Sequence, residues 1–161
     1  MDFETITYAT TGGIARITLN RPDRLNAISP ELLRDLDRAC AAVEGDPGAR
    51  VVTLTAAGRA FCAGADLRAV RELSPDPERW GAFMGFWHRV FDRIEALRMP
   101  VIAGVHGLAL AGGLELVLVA DLVVADEAAR LGDQHANFGL VAGGGGASGC
   151  RGSSARGGPR S

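Results

Sequence analysis

The stretch GLALAGGLELVLVADLVVAD, from Gly107 to Asp126, is almost wholly apolar but contains one glutamate, Glu115, three residues after Gly112. A lone carboxylate among Leu and Val side chains is costly to bury unless a neighbouring group uses or neutralises it. The glycine pair opens a run with helical spacing, GGLELVLVA, and DLVVAD then favours a β-strand. A glycine turn leading into a helix with a buried acid is therefore the feature from which fold and chemistry are predicted.

The order of strand, glycine loop and helix occurs twice in the chain. In residues 51–73, VVTLTA is a short buried strand and AGRAFCAGADL is a glycine-broken loop that leads into a helix. In residues 101–120, VIAGVHG is the strand that precedes the second glycine loop. Strands and helices that alternate in this way predict the α/β class.

Three further elements are predicted before and between these units. ITYAT and IARITLN flank TGG and predict a β-hairpin. Ser29 followed by Pro30 is a typical helix start, and apolar residues follow it at helical spacing. Residues 78–97 carry an aromatic stripe every three or four positions, which predicts a helix whose stripe faces the core. The apolar positions of the two helices are Leu32, Leu33, Leu36, Cys40, Val43, Trp80, Phe83, Trp87, Phe91, Ile94 and Leu97.

Composition limits the possible functions. The 161 residues suffice for one domain, and 47% of them are hydrophobic, which is ordinary for a globular protein. A formal net charge of −2 gives no electrostatic reason to expect nucleic acid or an anionic membrane surface as a partner. Residues 101–125 are long enough to span a bilayer, but His106, Glu115 and Asp121 lie within them and argue against insertion.

The cysteines and the first residues indicate the compartment. Cys40, Cys62 and Cys150 have no metal-ligand spacing, and their odd number argues against a disulfide framework. The opening MDFETITYAT lacks the basic and then apolar order of a signal peptide. We therefore expect a cytoplasmic protein with no metal centre.

Two interpretations of the glycine loops are open on the residues alone. The first turn of a helix leaves backbone N–H groups unpaired and carries a partial positive charge, so two converging helix starts would stabilise a developing oxyanion. Glu115, one turn after Gly112, would then exchange protons with the bound molecule. Alternatively, the glycines allow close packing of helix on sheet, and Glu115 merely favours the first turn through the helix dipole.

Four segments, in order and spacing, resemble the crotonase superfamily, which comprises the enoyl-CoA hydratases and isomerases. They are ITLNRPDRLNAIS, VVTLTAAGRAFCAGADL, PVIAGVHGLALAGGLELVLVADLVVADEAARLGD and FGLVAGGGG. The resemblance implies a crotonase-like spiral of repeated ββα units, with residues 1–146 as the acyl-CoA-binding core. It also implies an acyl-CoA thioester as substrate, with no cofactor beyond the coenzyme A that the substrate carries.

The resemblance assigns roles to particular positions. The backbone N–H groups of Ala65 and Gly112 would form the oxyanion hole, and Glu115 would activate the water that adds to a 2-enoyl-CoA. The residues implied in coenzyme A and substrate binding are Arg24, Leu25, Ala27, Ala63, Gly64, Ala65, Asp66, Leu67, Leu110 and Gly113. The glycine triplet of the family is AGG here, and alanine at position 111 is expected to be a small change.

One departure affects the reaction. Hydratases typically carry a second glutamate in a G-x-P-E pattern, whereas this chain has GDQH, with His135 at the glutamate position. A histidine is able to act as acid or base at neutral pH, or it lines the pocket without a catalytic role. Enoyl-CoA isomerisation or another acyl-CoA reaction therefore stays open beside hydration. Cys62, in FCAGAD, is expected to be a small packing residue rather than a nucleophile.

The resemblance ends near residue 146. The segment 147–161, ASGCRGSSARGGPRS, has the composition of a disordered tail. Read in the next frame from Ser148, its codons permit Arg-Leu-Pro-Arg-Leu-Val-Gly, which resembles the family. We therefore expect a frameshift near codon 148, and the alternative is a sequencing error in a chain that is full length. The C-terminal helical region would then be missing and apolar surface exposed. We expect a homotrimer or hexamer only for a full-length chain, and an inactive truncated product is the alternative to an enzyme.

Overall fold

Strands and helices alternate through residues 2–138, the part of the chain that the computed structural model describes. The strands are β1 (Ile6–Thr11), β2 (Ile14–Leu19), β3 (Val51–Ala56), β4 (Val101–Val105), β5 (Leu108–Leu110), β6 (Leu122–Ala125) and β7 (Arg130–Gly132). The helices are α1 (Pro30–Gly45), α2 (Leu67–Leu73), α3 (Pro77–Glu95) and α4 (Gly112–Leu118), with 3₁₀ turns at Pro22–Arg24 and His135–Phe138. The predicted α/β class is confirmed.

The main sheet has five strands in the order β1-β2-β3-β4-β6. Strands β1 and β2 form the predicted antiparallel hairpin, and every other neighbouring pair in this sheet is parallel. Parallel neighbours require crossover connections, and the glycine loops and their helices lie in these connections. The loops that follow β3 and β4 therefore emerge at the same end of the sheet.

The two long helices bury the apolar faces that the sequence predicts. The Ser29 side chain accepts a hydrogen bond from the Leu32 N–H and so caps α1, as expected. In α3 the rings of Phe83, Trp87 and Phe91 follow one another at centroid distances of 5.7 and 5.6 Å. The predicted core stripe is confirmed, although α3 ends at Glu95 rather than at Leu97.

The structure has a second, two-stranded sheet that the sequence did not predict. Strands β5 and β7 have three residues each and pair in parallel, with Leu110 opposite Gly132. Runs this short carry too few residues for a periodic pattern. Their pairing fixes the segment after Gly132 beside the second glycine loop.

Strand β6 forms an edge of the main sheet and is exposed along its length. Leu122 and Val124 retain 58% and 66% of their accessible surface, which is unusual for such apolar side chains. No helix within residues 2–138 is long and apolar enough to cross a membrane. The tail 147–161 and the proposed frameshift lie outside the described residues, and the trimer or hexamer stays a prediction.

Candidate active site

The first glycine loop is held in place by the loop that precedes α1. The N–H of Ile28 donates to the Gly64 carbonyl at 2.8 Å, and the Asp66 N–H donates to the Ile28 carbonyl at 2.9 Å. The Ala63 N–H donates to the Leu25 carbonyl at 3.0 Å. Residues 63–66 are thereby fixed by backbone hydrogen bonds, so the Ala65 N–H has a defined direction.

Asn26 fixes the other side of the same loop. Its side chain is fully buried, and its Nδ2 donates to the carbonyls of Ala57 and Ala60, at 2.9 and 2.8 Å. Its Oδ1 accepts a hydrogen bond from the Arg21 N–H at 2.8 Å. Leu25 and Asn26 both have positive φ, 51° and 54°, which is uncommon for residues other than glycine. The three hydrogen bonds of the Asn26 side chain satisfy its buried polar atoms. They also hold this turn in its strained backbone conformation.

An ion pair also links the loop before α1 to the first glycine loop. The Arg21 guanidinium donates to Oδ2 of Asp66 at 3.0 Å, and Oδ1 of Asp66 accepts the Arg68 N–H at the start of α2. Burial by itself raises the pKa of the Asp66 carboxyl, but the hydrogen bonds from Arg21 and Arg68 outweigh it, so the pKa is lowered. Asp66 is therefore ionised at neutral pH and serves as both helix cap and loop anchor.

The second glycine loop is strained at Ala111, which has φ 49° and ψ −120°. Its N–H donates to the Gly132 carbonyl at 2.9 Å, so the β5–β7 pairing extends to the residue that precedes α4. A β-carbon disfavours this backbone conformation, whereas glycine adopts it readily. Alanine at position 111 is thus more than the small change expected from sequence, because the turn requires the conformation that glycine favours.

The two glycine loops lie in direct contact. A β-carbon placed on Gly64 would be 3.0 Å from the Leu110 carbonyl oxygen and 3.4 Å from the Gly112 nitrogen. A β-carbon on Gly113 would be only 2.1 Å from the Cys62 carbonyl oxygen, closer than any real contact. Within residues 2–138 no backbone carbonyl accepts a hydrogen bond from the N–H of Ala65 or Gly112. Two backbone donors without a carbonyl partner in this part of the chain therefore lie on adjoining loops, an arrangement suited to an oxyanion.

A cavity of about 510 Å³ lies where these loops meet. The structure brings most of the predicted site residues to its wall: Arg24, Leu25, Ala27, Ala63, Ala65, Asp66, Leu67, Leu110, Gly112 and His135. Gly64 and Gly113 do not line it, because they pack the loops against each other behind the wall. A cavity of this size is within the range of small-molecule sites.

Glu115 does not line the cavity either. It is 3% exposed and lies in the first turn of α4, where its N–H donates to the Ala111 carbonyl at 3.1 Å. The prediction that this carboxylate is buried behind the glycine pair is confirmed. Its side chain lies one helical turn behind the Gly112 wall residue rather than on the cavity surface.

His135 lines the cavity with its side chain 12% exposed. Its Nδ1 lies 2.6 Å from Oδ1 of Asp133, which also accepts the His135 N–H at 3.0 Å. This hydrogen bond lowers the pKa of the Asp133 carboxyl, which is ionised at neutral pH. The structure therefore brings an acid/base side chain to the same cavity as the two backbone donors.

Sequence reasoning missed Trp87 as a cavity residue. The indole is 3% exposed, and a β-carbon on Gly112 would be 2.5 Å from its Cζ2 atom. Its Nε1 has no hydrogen-bond partner among the described residues. No sequence signal distinguishes Trp87 from its neighbours in the core stripe, because all of them follow the same helical spacing. The other lining residues that the sequence did not single out are Arg68, Leu108, Ala111 and Gln134.

Cys62 is placed as a packing residue. It is fully buried, and its backbone pairs with Ala109 across the two loops. Burial raises the pKa of the Cys62 thiol to about 12, so the thiol is neutral at physiological pH. A neutral thiol is a poor nucleophile, which agrees with the packing role. Within residues 2–138 no three His, Cys, Asp or Glu side chains are grouped as metal ligands are.

The chain is similar in sequence to a family model and to curated proteins. The family model described as Enoyl-CoA hydratase/isomerase matches residues 9–150. The "Probable enoyl-CoA hydratase" of Rhizobium meliloti is 37% identical over 146 residues, which are 91% of this chain and 55% of that protein. The "Short-chain-enoyl-CoA hydratase" of Clostridium acetobutylicum is 35% identical over 91% of this chain and 56% of its own. The chain thus spans about half the length of these curated relatives.

A solved structure supports the fold independently. The crystal structure of enoyl-CoA hydratase from Bacillus anthracis superposes with a TM-score of 0.86 at 33% identity, covering 91% of this chain and 57% of its own. The elements described above therefore match just over half of that structure, and the predicted crotonase-like fold is confirmed.

Proposed function

Because this chain belongs to the enoyl-CoA hydratase/isomerase family, we propose that its cavity binds an acyl-CoA thioester and adds water to a 2-enoyl-CoA. The observation that carries the proposal is the contact between the two glycine loops. It brings Ala65 and Gly112 to one cavity wall, and no backbone carbonyl among the described residues accepts a hydrogen bond from either N–H. Two donors of this kind fit the oxygen of a thioester carbonyl on which negative charge develops.

The chemistry follows from that charge. When a hydrogen-bonded carbonyl withdraws electrons from the adjacent C2–C3 double bond, C3 becomes electrophilic and an enolate forms as water attacks it. The attack requires a base to remove a water proton. Glu115 is the proposed base, since it lies one turn after Gly112 on α4 and is buried from bulk solvent.

The enolate then requires a proton at C2. His135 lines the cavity and is the proposed donor, since an imidazole is able to release and take up a proton through its ring nitrogens. In this scheme the water oxygen bonds to C3, one water proton goes to Glu115, and C2 takes its proton from His135. Proton transfer from Glu115 back to the imidazole through solvent restores the starting state.

The coenzyme A end would be bound by the cations at the cavity rim. Arg24 and Arg68 line the cavity, and both side chains are exposed, as expected for groups that contact phosphates in solvent. Leu67 is 46% exposed at the same rim and offers apolar contact to a ligand. Arg68 was not singled out by sequence, because one arginine on a short helix has no distinctive pattern.

A second candidate function is a double-bond shift. His135 lies on the cavity wall whereas Glu115 lies behind it, and one cavity base is sufficient to move a proton between C2 and C4 of an enoyl-CoA. An isomerase, or an enzyme with other acyl-CoA chemistry, is therefore the second candidate, and the position of His135 on the cavity wall is the observation that supports it. An inactive product is the other alternative.

The experiment is hydration of a short 2-enoyl-CoA by the purified chain and by Glu115→Gln. We expect the substitution to lower kcat by about 10²-fold or more, the usual contribution of a general base. The matched control is Glu127→Gln, which changes an exposed carboxylate outside the cavity and should leave kcat unchanged.

Other outcomes separate the alternatives. Equal activity in Glu115→Gln and the unsubstituted chain would contradict the role of Glu115. Conversion of a 3-enoyl-CoA to a 2-enoyl-CoA without water addition would favour the isomerase. No turnover, together with strong ANS binding and weak near-UV circular dichroism, would identify an inactive product.

A further inference from the structure

The turn that follows β7 places a carboxylate outside the cavity and an imidazole on its wall. Asp133 is 61% exposed and does not line the cavity, whereas His135 is 12% exposed and does. The two residues are joined by two hydrogen bonds to a single oxygen, Oδ1 of Asp133. The imidazole thus bridges a solvent-facing anion and the cavity that holds the Ala65 and Gly112 donors.

The hydrogen bond determines which ring nitrogen carries the proton. The carboxyl of Asp133 is ionised at neutral pH, since its hydrogen bond with His135 lowers its pKa. An ionised carboxylate only accepts hydrogen bonds, so Nδ1 of His135 must be the donor. In the neutral imidazole Nε2 then carries a lone pair, and in the imidazolium it carries a transferable proton.

The turn itself is fixed relative to the second glycine loop. Gly132 pairs with Leu110, and its carbonyl accepts the Ala111 N–H at 2.9 Å. The residue directly before the Gly112 donor is therefore hydrogen-bonded to the residue directly before Asp133. This connection ties the backbone of the turn that carries His135 to the second glycine loop.

We propose that Asp133 is a positioning residue that holds the Nδ1–H form of His135 and so presents Nε2 to the acyl group as the proton-transfer atom. The proposal rests on the proposed function and specifies how His135 would act in it. In the hydration direction the Nε2–H bond breaks as the C2–H bond forms, and a neutral imidazole with its proton on Nδ1 remains. In the reverse direction Nε2 takes the C2 proton.

Other charged groups share this cavity. Arg24, Asp66 and Arg68 lie on its wall, and Glu115 lies behind it. Asp66 is already engaged with Arg21, at 3.0 Å, whereas the hydrogen bond of His135 is with Asp133. Removal of the Asp133 charge should therefore change the imidazole selectively.

The test is the tautomeric state of His135, read from long-range ¹H–¹⁵N spectra of the full chain with ¹⁵N-labelled histidine. The chain has three histidines, and the His135→Gln variant assigns the signals by their loss. We expect the Nδ1–H form in the unsubstituted chain and a shift of the population to the Nε2–H form in Asp133→Asn. The asparagine keeps an oxygen that accepts the His135 N–H, so the turn should persist.

The matched control is Asp126→Asn. Oδ1 of Asp126 accepts the N–H of Ala128 at 2.8 Å, the same two-residue turn as at Asp133 but without a histidine. This variant should leave all His135 signals unchanged. Titration with acetyl-CoA should move the Nε2 resonance of the unsubstituted chain by more than its Nδ1 resonance.

Activity gives the second readout. We expect Asp133→Asn to lower kcat for a short 2-enoyl-CoA by roughly 10-fold or more with a much smaller change in KM. An Nε2–H form in the unsubstituted chain, or spectra and kcat unaffected by Asp133→Asn, would overturn the proposal. If the unsubstituted chain does not turn over any enoyl-CoA but the tautomer still depends on Asp133, the proposed function fails and the positioning role stands.

Discussion

The guanidinium of Arg21 lies 3.0 Å from the carboxylate of Asp66 and joins the loop before α1 to the loop that carries the Ala65 donor. Both side chains are largely buried, with 19% and 17% of their surface exposed. Arg21 also donates through its other terminal nitrogen to the Ala27 carbonyl. A charge pair with this degree of burial and these hydrogen bonds has a larger effect on stability than an exposed pair.

We expect Arg21→Gln to lower the free energy of unfolding by about 1–3 kcal/mol, because it leaves the Asp66 carboxylate without its charged partner. The control is Arg34→Gln, whose pair with Glu31 has exposures of 58% and 37% on one helix face. That substitution should cost less than about 0.5 kcal/mol. Urea unfolding measures both, and equal effects would mean that the Arg21–Asp66 pair does not stabilise the loops.

The same pair predicts how stability depends on pH. Because the folded-state pKa of Asp66 is lowered, the stabilisation is present above the ordinary aspartate value of 3.8 and is lost as pH falls below that value through the folded-state pKa. We expect the unfolding free energy to fall less steeply below that value in Asp66→Asn than in the unsubstituted chain. Urea unfolding midpoints measured above and below pH 3.8 test this expectation. Parallel plots of unfolding free energy against pH for the two proteins would contradict it.

Ala111→Gly should stabilise the protein, since the residue has φ 49° in a conformation that a β-carbon disfavours. We expect the free energy of unfolding to rise by about 1 kcal/mol. This net value is the backbone strain that glycine relieves minus the cost of the greater conformational entropy that glycine gives the unfolded chain. Ala41→Gly, at an exposed position inside α1, should instead destabilise by about 1 kcal/mol. The opposite signs are read from thermal or urea unfolding; a loss at both positions would show that Ala111 is unstrained.

Gly113→Ala should destabilise strongly, because its β-carbon would lie 2.1 Å from the Cys62 carbonyl oxygen, a backbone atom that cannot rotate away. Overpacking of this kind costs about 1–3 kcal/mol, and often more when backbone must move. Gly81→Ala, at an exposed position of α3 with open space around it, should stabilise by about 0.5–1 kcal/mol. Tolerance of alanine at position 113 would mean that the two glycine loops are further apart than described.

The buried thiols should resist alkylation in the native protein. Burial raises the pKa of both Cys40 and Cys62 to about 12, so at pH 8 neither forms appreciable thiolate. Iodoacetamide should label the two residues only after denaturation, as read from peptide masses that distinguish them from Cys150. Rapid native labelling of Cys62 would contradict its packing role and reopen its interpretation as a nucleophile.

Particular residues show how far sequence reasoning could reach. Ser29, the apolar face of α1 and the aromatic stripe of α3 were predictable, because capping and helical spacing are local properties. Glu115 was recognisable as a buried acid from its neighbours alone. Trp87 was predicted to be core but not to line a cavity, since its helical spacing does not say whether the space beside Gly112 is filled.

The sequence by itself determined the α/β order of elements, the two glycine loops and the presence of one acid behind the second loop. These depend on contacts within a few positions of each residue, and such contacts leave a readable pattern. Only the tertiary structure placed Gly64 against the Gly112 amide, paired β5 with β7, and brought His135 to the cavity wall. These relationships depend on crossover connections and on pairing between distant segments. Such pairing is decided by the packing of the whole sheet, and no local stretch of sequence encodes it.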